Sequence, residues 1–284
     1  MIRDANIVAG YALREALRNR VLLVVVVLTV TFLGLYGWGT KETFDAVTAG
    51  PSSPLIREQT VAGATLLGLA MFVTLFLGTV LAVFLTLNAV RGDAERGLLQ
   101  PLVVRPLGRG ALLLGRFTAA AVVCGSYVLL VYAGAVVLTS TLGDFRPDDV
   151  ITPGVMLAAA VLLIVALALL GSTILSATAN GIAVFMVFGA GLAAGLMGQI
   201  GEALDSDTLI NIADVSSWVL PFEALYQQAL HELTTSTSNF ERVIVTLGPF
   251  GGARDAGALL WPWTAFYAVL VAAATFARFR RMDL

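Results

Sequence analysis

Five uncharged runs constrain this chain more than anything else in it: residues 21–40, 59–90, 117–143, 150–201 and 256–277. Each reaches or exceeds the ~20 residues that cross a bilayer as a helix. The fourth is 52 residues long, too long for one crossing, and Ser176-Ala177-Thr178-Ala179-Asn180-Gly181 offers a polar, small-residue turn inside it. Six spans are therefore predicted, at about 21–39, 61–88, 113–140, 155–176, 182–201 and 259–277, from the bilayer-length rule. Hydrophobic residues make up 58% of the chain and charged residues 13%, against roughly 45–50% and 25% in soluble domains. An open sheet this apolar would leave backbone groups unpaired in lipid. The expected fold is an all-α integral membrane protein.

Arginine placement predicts the orientation. With both termini cytoplasmic, 12 basic residues lie inside (Arg3, Arg14, Arg18, Arg20, Arg91, Arg96, Arg105, Arg109, Arg116, Arg278, Arg280 and Arg281). Only five lie outside: Lys41, Arg57, Arg146, Arg242 and Arg254. That is the bias of the positive-inside rule. The inner arginines flank spans as orientation signals do, so no nucleic-acid partner is expected. The first apolar run is too long for a secretory h-region and no small-x-small cleavage site follows it, so it reads as a retained span. Cys124 is the single cysteine and His231 the single histidine, which excludes an internal disulfide and disfavours a zinc site.

Between the spans, three segments stand out. Residues 1–20 read as an interfacial helix with Ile2, Leu13 and Leu17 on one arc and Arg3, Asp4, Arg14, Glu15 and Arg18 on the other, or as a bare orientation signal. The extracytoplasmic segment 202–257 contains PFEALYQQALHEL, in which Phe222, Leu225, Tyr226, Ala229, Leu230 and Leu233 follow the spacing of an amphipathic helix. Pro221 suits its first position, and the helix is expected to rest on the outer membrane surface or to cap the bundle. In the fifth span, Gly191, Gly195 and Gly198 belong to a small-residue ridge that permits close helix contact. Packing within one subunit and a symmetric dimer seam are both open.

Missing chemistry narrows function. Apart from Arg116 at the inner edge of the third, no predicted span carries Asp, Glu, Lys, Arg or His, which argues against an ion-coupled secondary transporter and an intramembrane hydrolase. Ser126, Tyr127, Tyr132, Ser172 and Ser176 are expected to act as hydrogen-bonding glue between helices. No catalytic, cofactor-binding or metal-binding residue is expected. A P-loop needs G-x-x-x-x-G-K-[ST], and the only lysine is Lys41. Any nucleotide-driven work needs another polypeptide.

The 32-residue run 59–90 would be about 48 Å long as one helix, more than the roughly 30 Å hydrocarbon core. It leads into RGDAERGLLQPLVVRPLGRGALLLGRF, residues 91–117, a charged and twice-broken connector. A plain turn needs far less, so a cytoplasmic partner is expected to hold it. With the LRNR of Leu17–Arg20, this connector resembles the type-2 exporter permeases of ABC transporters. Asp93, Glu95, Arg96, Gly97 and Leu98-Leu99 match that family's D/E-x-E-x-G-T-[LI]-x-x-L-L stretch; Pro106–Gly110 and Leu113–Phe117 match its basic turn and LLGKF. The look is nearest to the permeases that serve nitrous-oxide reductase maturation, where a similar PLGRG…LLGKF occurs. Leu98 stands where Thr is usual, Arg116 where Lys is usual, and Pro101 interrupts the helix.

The resemblance implies one permease domain over 1–284 with a cytoplasmic coupling helix in 91–110 between spans two and three. It implies a second permease copy or paralogue, and cytoplasmic ATPase subunits that hold ATP and Mg. Asp93, Glu95, Arg96, Gly97, Arg105 and Arg109 would be the ATPase-coupling residues. The expected place is the cell (inner) membrane. A membrane scaffold that moves nothing, or a secondary transporter, are the other classes compatible with the residues.

Overall fold

The computed structural model describes residues 8–14, 20–49, 58–87, 109–143, 145–147, 149–234 and 254–281. Among them there is no strand. Six helices are long and apolar enough to cross a membrane: α1 (Arg20–Ala49), α2 (Glu58–Thr86), α3 (Arg109–Leu142), α4 (Ile151–Ser172), α5 (Ala177–Ala203) and, after two shorter helices, α8 (Leu260–Arg280). The two short ones are α6 (Asp207–Val219) and α7 (Pro221–Thr234). Residues 8–14 are also helical; the rest of the expected interfacial helix lies outside the described residues.

Each predicted span has a helix, and the boundaries differ for physical reasons. Helix α1 runs ten residues beyond its expected end at 39, to Ala49, because its extension packs on α3. Tyr36 Oη lies 2.6 Å from Thr139 Oγ1, and Phe44 fills the space beside Gly143 that a Cβ there would occupy. The turn between α4 and α5 falls at 173–176 rather than 176–181. The N–H groups of Thr173, Ile174 and Leu175 fold back onto Leu170 and Gly171 carbonyls, so Asn180 is left inside α5. Its Nδ2 donates to Ala168 O at 2.9 Å, a tie from α5 to α4 that needs Gly171, where a Cβ would meet the Asn180 amide. At the other end of α4, Asp149 Oδ1 accepts the N–H groups of Ile151 and Thr152 at 2.9 and 3.1 Å and caps the helix start.

The core lies where α2, α3 and α4 meet. Leu67, Met71, Leu75, Leu81, Leu157 and Ile164 are among its fully buried side chains. Gly78 lets α2 close on both neighbours, since a Cβ there would lie 2.9 Å from Val128 and from Val161. Threonines in these helices satisfy their hydroxyls on the preceding turn, as Thr74 does on Ala70 O at 2.7 Å. Of the hydroxyls expected to glue helices together, Tyr127 does so, 2.6 Å from Thr29 on α1. Ser126 and Ser172 instead bond carbonyls of their own helices. A short side chain in a helix reaches its own preceding turn more easily than a neighbouring helix.

Helices α6 and α7 form a hairpin that dips into the bundle and returns. Descending α5 from its end at Ala203, Gly201 meets Leu209 and Ile210, Gly198 meets Ala213, and Gly191 meets Phe222. Phe222 is thus about 18 Å below Ala203 at 1.5 Å per residue. There it stacks on Phe188 at 6.1 Å, and Phe188 contacts Phe76 of α2 at 6.2 Å. Helix α7 then climbs along α4, bringing Leu230 onto Gly68 of α2. Every residue from 221 to 230 is buried. A surface helix would leave its polar face wet; here protein covers that face too.

Candidate functional site

The hairpin brings polar residues into an apolar bundle. Helix α7 starts at Pro221, whose missing N–H costs nothing at a helix's first position. Its period then aims Glu223 and Gln227 at α5. The two are one turn apart, and Gln227 Nε2 donates to Glu223 Oε1 at 2.8 Å. Both are 4% exposed. Gly195 of α5 makes the room, for a Cβ there would overlap the Glu223 carboxylate and lie 2.7 Å from Gln227 Nε2. Burial raises the Glu223 carboxyl from its ordinary range to about 7, against the Gln227 hydrogen bond and the charge of Arg254, which lower it.

Residues 254–263 fasten the hairpin. Arg254 Nε donates to Glu202 Oε1 at 2.8 Å and its Nη1 lies 3.2 Å from Asp214 Oδ1, joining the end of α5 to α6. The Ala256 N–H donates to Gln228 Oε1 at 2.7 Å, and Gln228 Nε2 donates to Glu232 Oε1 at 2.9 Å. Trp263 Nε1 donates to Trp218 O at 2.8 Å. That bond uses one of the carbonyls that the end of α6 leaves without a helical partner. The two indoles meet edge to face, 5.4 Å between centroids. A cavity of about 200 Å³ remains, walled by Gly195, Asp214, Glu223, Gln227, Arg254 and the two indoles.

The small-residue ridge therefore has partners within the chain: Gly191 against Phe222, Gly195 against Glu223 and Gln227, Gly198 against Ala213 and Arg254. The other expected site is the connector. Asp93, Glu95, Arg96, Gly97 and Arg105 lie outside the described residues, and Arg109 enters as the first residue of α3. Helices α2 and α3 pack together, so the connector leaves and rejoins the bundle at one end. Gly110 of α3 abuts Phe276 of α8 there, and Arg278, Arg280 and Arg281 close α8 at the same end. Sequence reasoning missed Glu223 as an interior carboxylate. Its nearest signal was Gly195, which announced a close approach without saying by what.

Six apolar crossings make this a multi-pass membrane protein, and the inserted hairpin gives it a polar cavity between α5 and α8. The chain belongs to the ABC-2 family: the model described as ABC-2 family transporter protein matches residues 7–284. It is accordingly an ABC-type permease by family. No curated protein matches the sequence. Among the described residues no group of three or more His, Cys, Asp or Glu could hold a metal ion.

Proposed function

We propose that this chain is the membrane subunit of an ATP-driven exporter. In this reading it pairs with a second copy or a paralogue, and both seat on cytoplasmic ATPase subunits. The observation that carries this is the family match over residues 7–284. The geometry adds a reason for the connector: it joins two packed helices at the end where α8 finishes in arginines. By the arginine split that end is cytoplasmic, the hairpin end faces outward, and the membrane is the cell (inner) membrane. Asp93, Glu95, Arg96, Gly97, Arg105 and Arg109 are then the contacts with the motor, together with residues 1–20. ATP and Mg belong to the motor, because this chain has no P-loop lysine. Kinship with the permeases of nitrous-oxide reductase maturation rests on the PLGRG…LLGRF of residues 106–117 alone.

Two measurements test the reading. The purified chain by itself is expected to show no saturable binding of labelled ATP, and micromolar saturable binding contradicts the division of labour. Co-expressed with its ATPase, it is expected to co-purify as a stable complex whose hydrolysis responds to transport conditions. A chain that recovers no ATPase contradicts the permease reading and favours a scaffold.

A further inference from the structure

The hairpin cavity holds more negative charge than its fold consumes. Gln227 Nε2 donates to Glu223 Oε1, and among the described residues nothing donates to the buried Gln227 Oε1, on the cavity wall. Asp214 and Asp255 also line the space, and Arg254, the cation facing them, is shared between Asp214 and Glu202. With Glu223 ionised, three lining carboxylates face one guanidinium. A buried amide oxygen without a donor is costly, and Gly195 makes room for the Glu223–Gln227 pair, since a Cβ there would lie 2.7 Å from Gln227 Nε2. The site lies about 12 Å below the end of α5, from Gly195 to Ala203 at 1.5 Å per residue. At that depth a charge pair is stronger than in water. Trp218 and Trp263 also line the space, and the face of an indole attracts cations.

We propose that this cavity binds the primary ammonium group of a small organic cation. Gln227 Oε1 accepts a hydrogen bond from the ammonium, the Glu223 carboxylate beside it supplies the charge, Asp214 adds charge at the rim, and the two indoles cover the alkyl portion. The volume of about 200 Å³ restricts the guest to a short chain. The donor requirement at Gln227 Oε1 separates a primary ammonium from a quaternary one. Nothing in this site depends on a motor, so binding is measured on this chain without an ATPase, and its failure leaves the permease reading standing.

The test is a titration of the full chain in lipid nanodiscs with n-butylammonium chloride at pH 8, followed by tryptophan fluorescence. Trp38→Phe and Trp261→Phe leave Trp218 and Trp263 as the reporters, and 1-butanol and tetramethylammonium serve as comparison ligands. Saturable binding of butylammonium is expected, with both comparison ligands at least tenfold weaker. Glu223→Gln, which keeps the size of the side chain, is expected to weaken butylammonium at least tenfold. Lowering the pH to 5.5 in the unsubstituted cavity is expected to weaken it as well. Glu223, whose carboxyl burial raises to about 7, gains its proton there; the other charged groups at the site are Arg254, Asp214, Asp255 and the nearby Glu202. This pH arm decides the matter if Glu223→Gln does not fold. A response that does not saturate, equals that of 1-butanol, or is unchanged both by Glu223→Gln and at pH 5.5 overturns the proposal.

Discussion

A missing Cβ at position 195 decides whether a carboxylate can sit inside this bundle. Gly195→Ala would drive a methyl group into Glu223 and Gln227, and such overpacking costs about 1–3 kcal/mol. Gly189, on the same helix, has nothing within 4 Å of its built Cβ. Gly189→Ala should be neutral or gain up to about 1 kcal/mol from helix propensity. Thermal unfolding of both variants in detergent measures the contrast. Equal effects would mean that the hairpin does not pack against α5 as described. Glu223 also sets a pH dependence. Its folded carboxyl sits at about 7, above the ordinary ~4.3 of an unfolded chain, so the folded state binds the proton more tightly. Stability from this group is full below about pH 4 and falls as pH rises through about 7, by an amount on the order of 3 kcal/mol. Glu223→Gln should flatten that slope, and unfolding followed from pH 5 to 8 reads it directly.

At the scale of elements, the polar ties between α1 and α3 are isolated enough to measure. Tyr36–Thr139 and Thr29–Tyr127 each meet at 2.6 Å. Hydrogen bonds between membrane helices average ~0.6 kcal/mol in double-mutant cycles. A cycle on Tyr36→Phe and Thr139→Val should return a coupling of that order, and zero coupling would remove the bond. The six crossings were legible in the sequence because length and hydropathy are enough to define them. The depth of the hairpin was not. Helices α6 and α7 have 13 and 14 residues, too short to register as spans. The period of α7 is that of an amphipathic helix whether its polar face meets water or Gly195 and the Arg254 segment. The ridge of Gly191, Gly195 and Gly198 was visible as a contact surface, but a small-residue motif does not name its partner. The coupling role of Asp93 to Arg109 came from resemblance, and the described residues fix only the two helix ends that the connector joins.

At the scale of the whole molecule, the bundle has two unlike ends: one gathers the connector and the arginines of α8, the other the hairpin and its carboxylates. Cysteine tagging at Thr48, Ser206 and Arg281 should report outside, outside and inside; an inside signal at Ser206 would break the proposed topology. The central claim is that the connector carries force between a soluble motor and this bundle. It is tested most directly by Glu95→Ala combined with Arg96→Ala in the assembled complex. Truncating one partner of a buried charged pair at an interface costs roughly 2–5 kcal/mol, whereas an exposed ion pair is worth about 0–1 kcal/mol. Arg91, Arg105, Arg109 and Arg116 remain as orientation signals, so insertion and expression should be unchanged. The measurement is ATPase retention and the ratio of hydrolysis to transport in proteoliposomes. A lost ATPase, or hydrolysis without transport, is the expected result; a double variant that keeps its partner and full transport would contradict the coupling role of these residues.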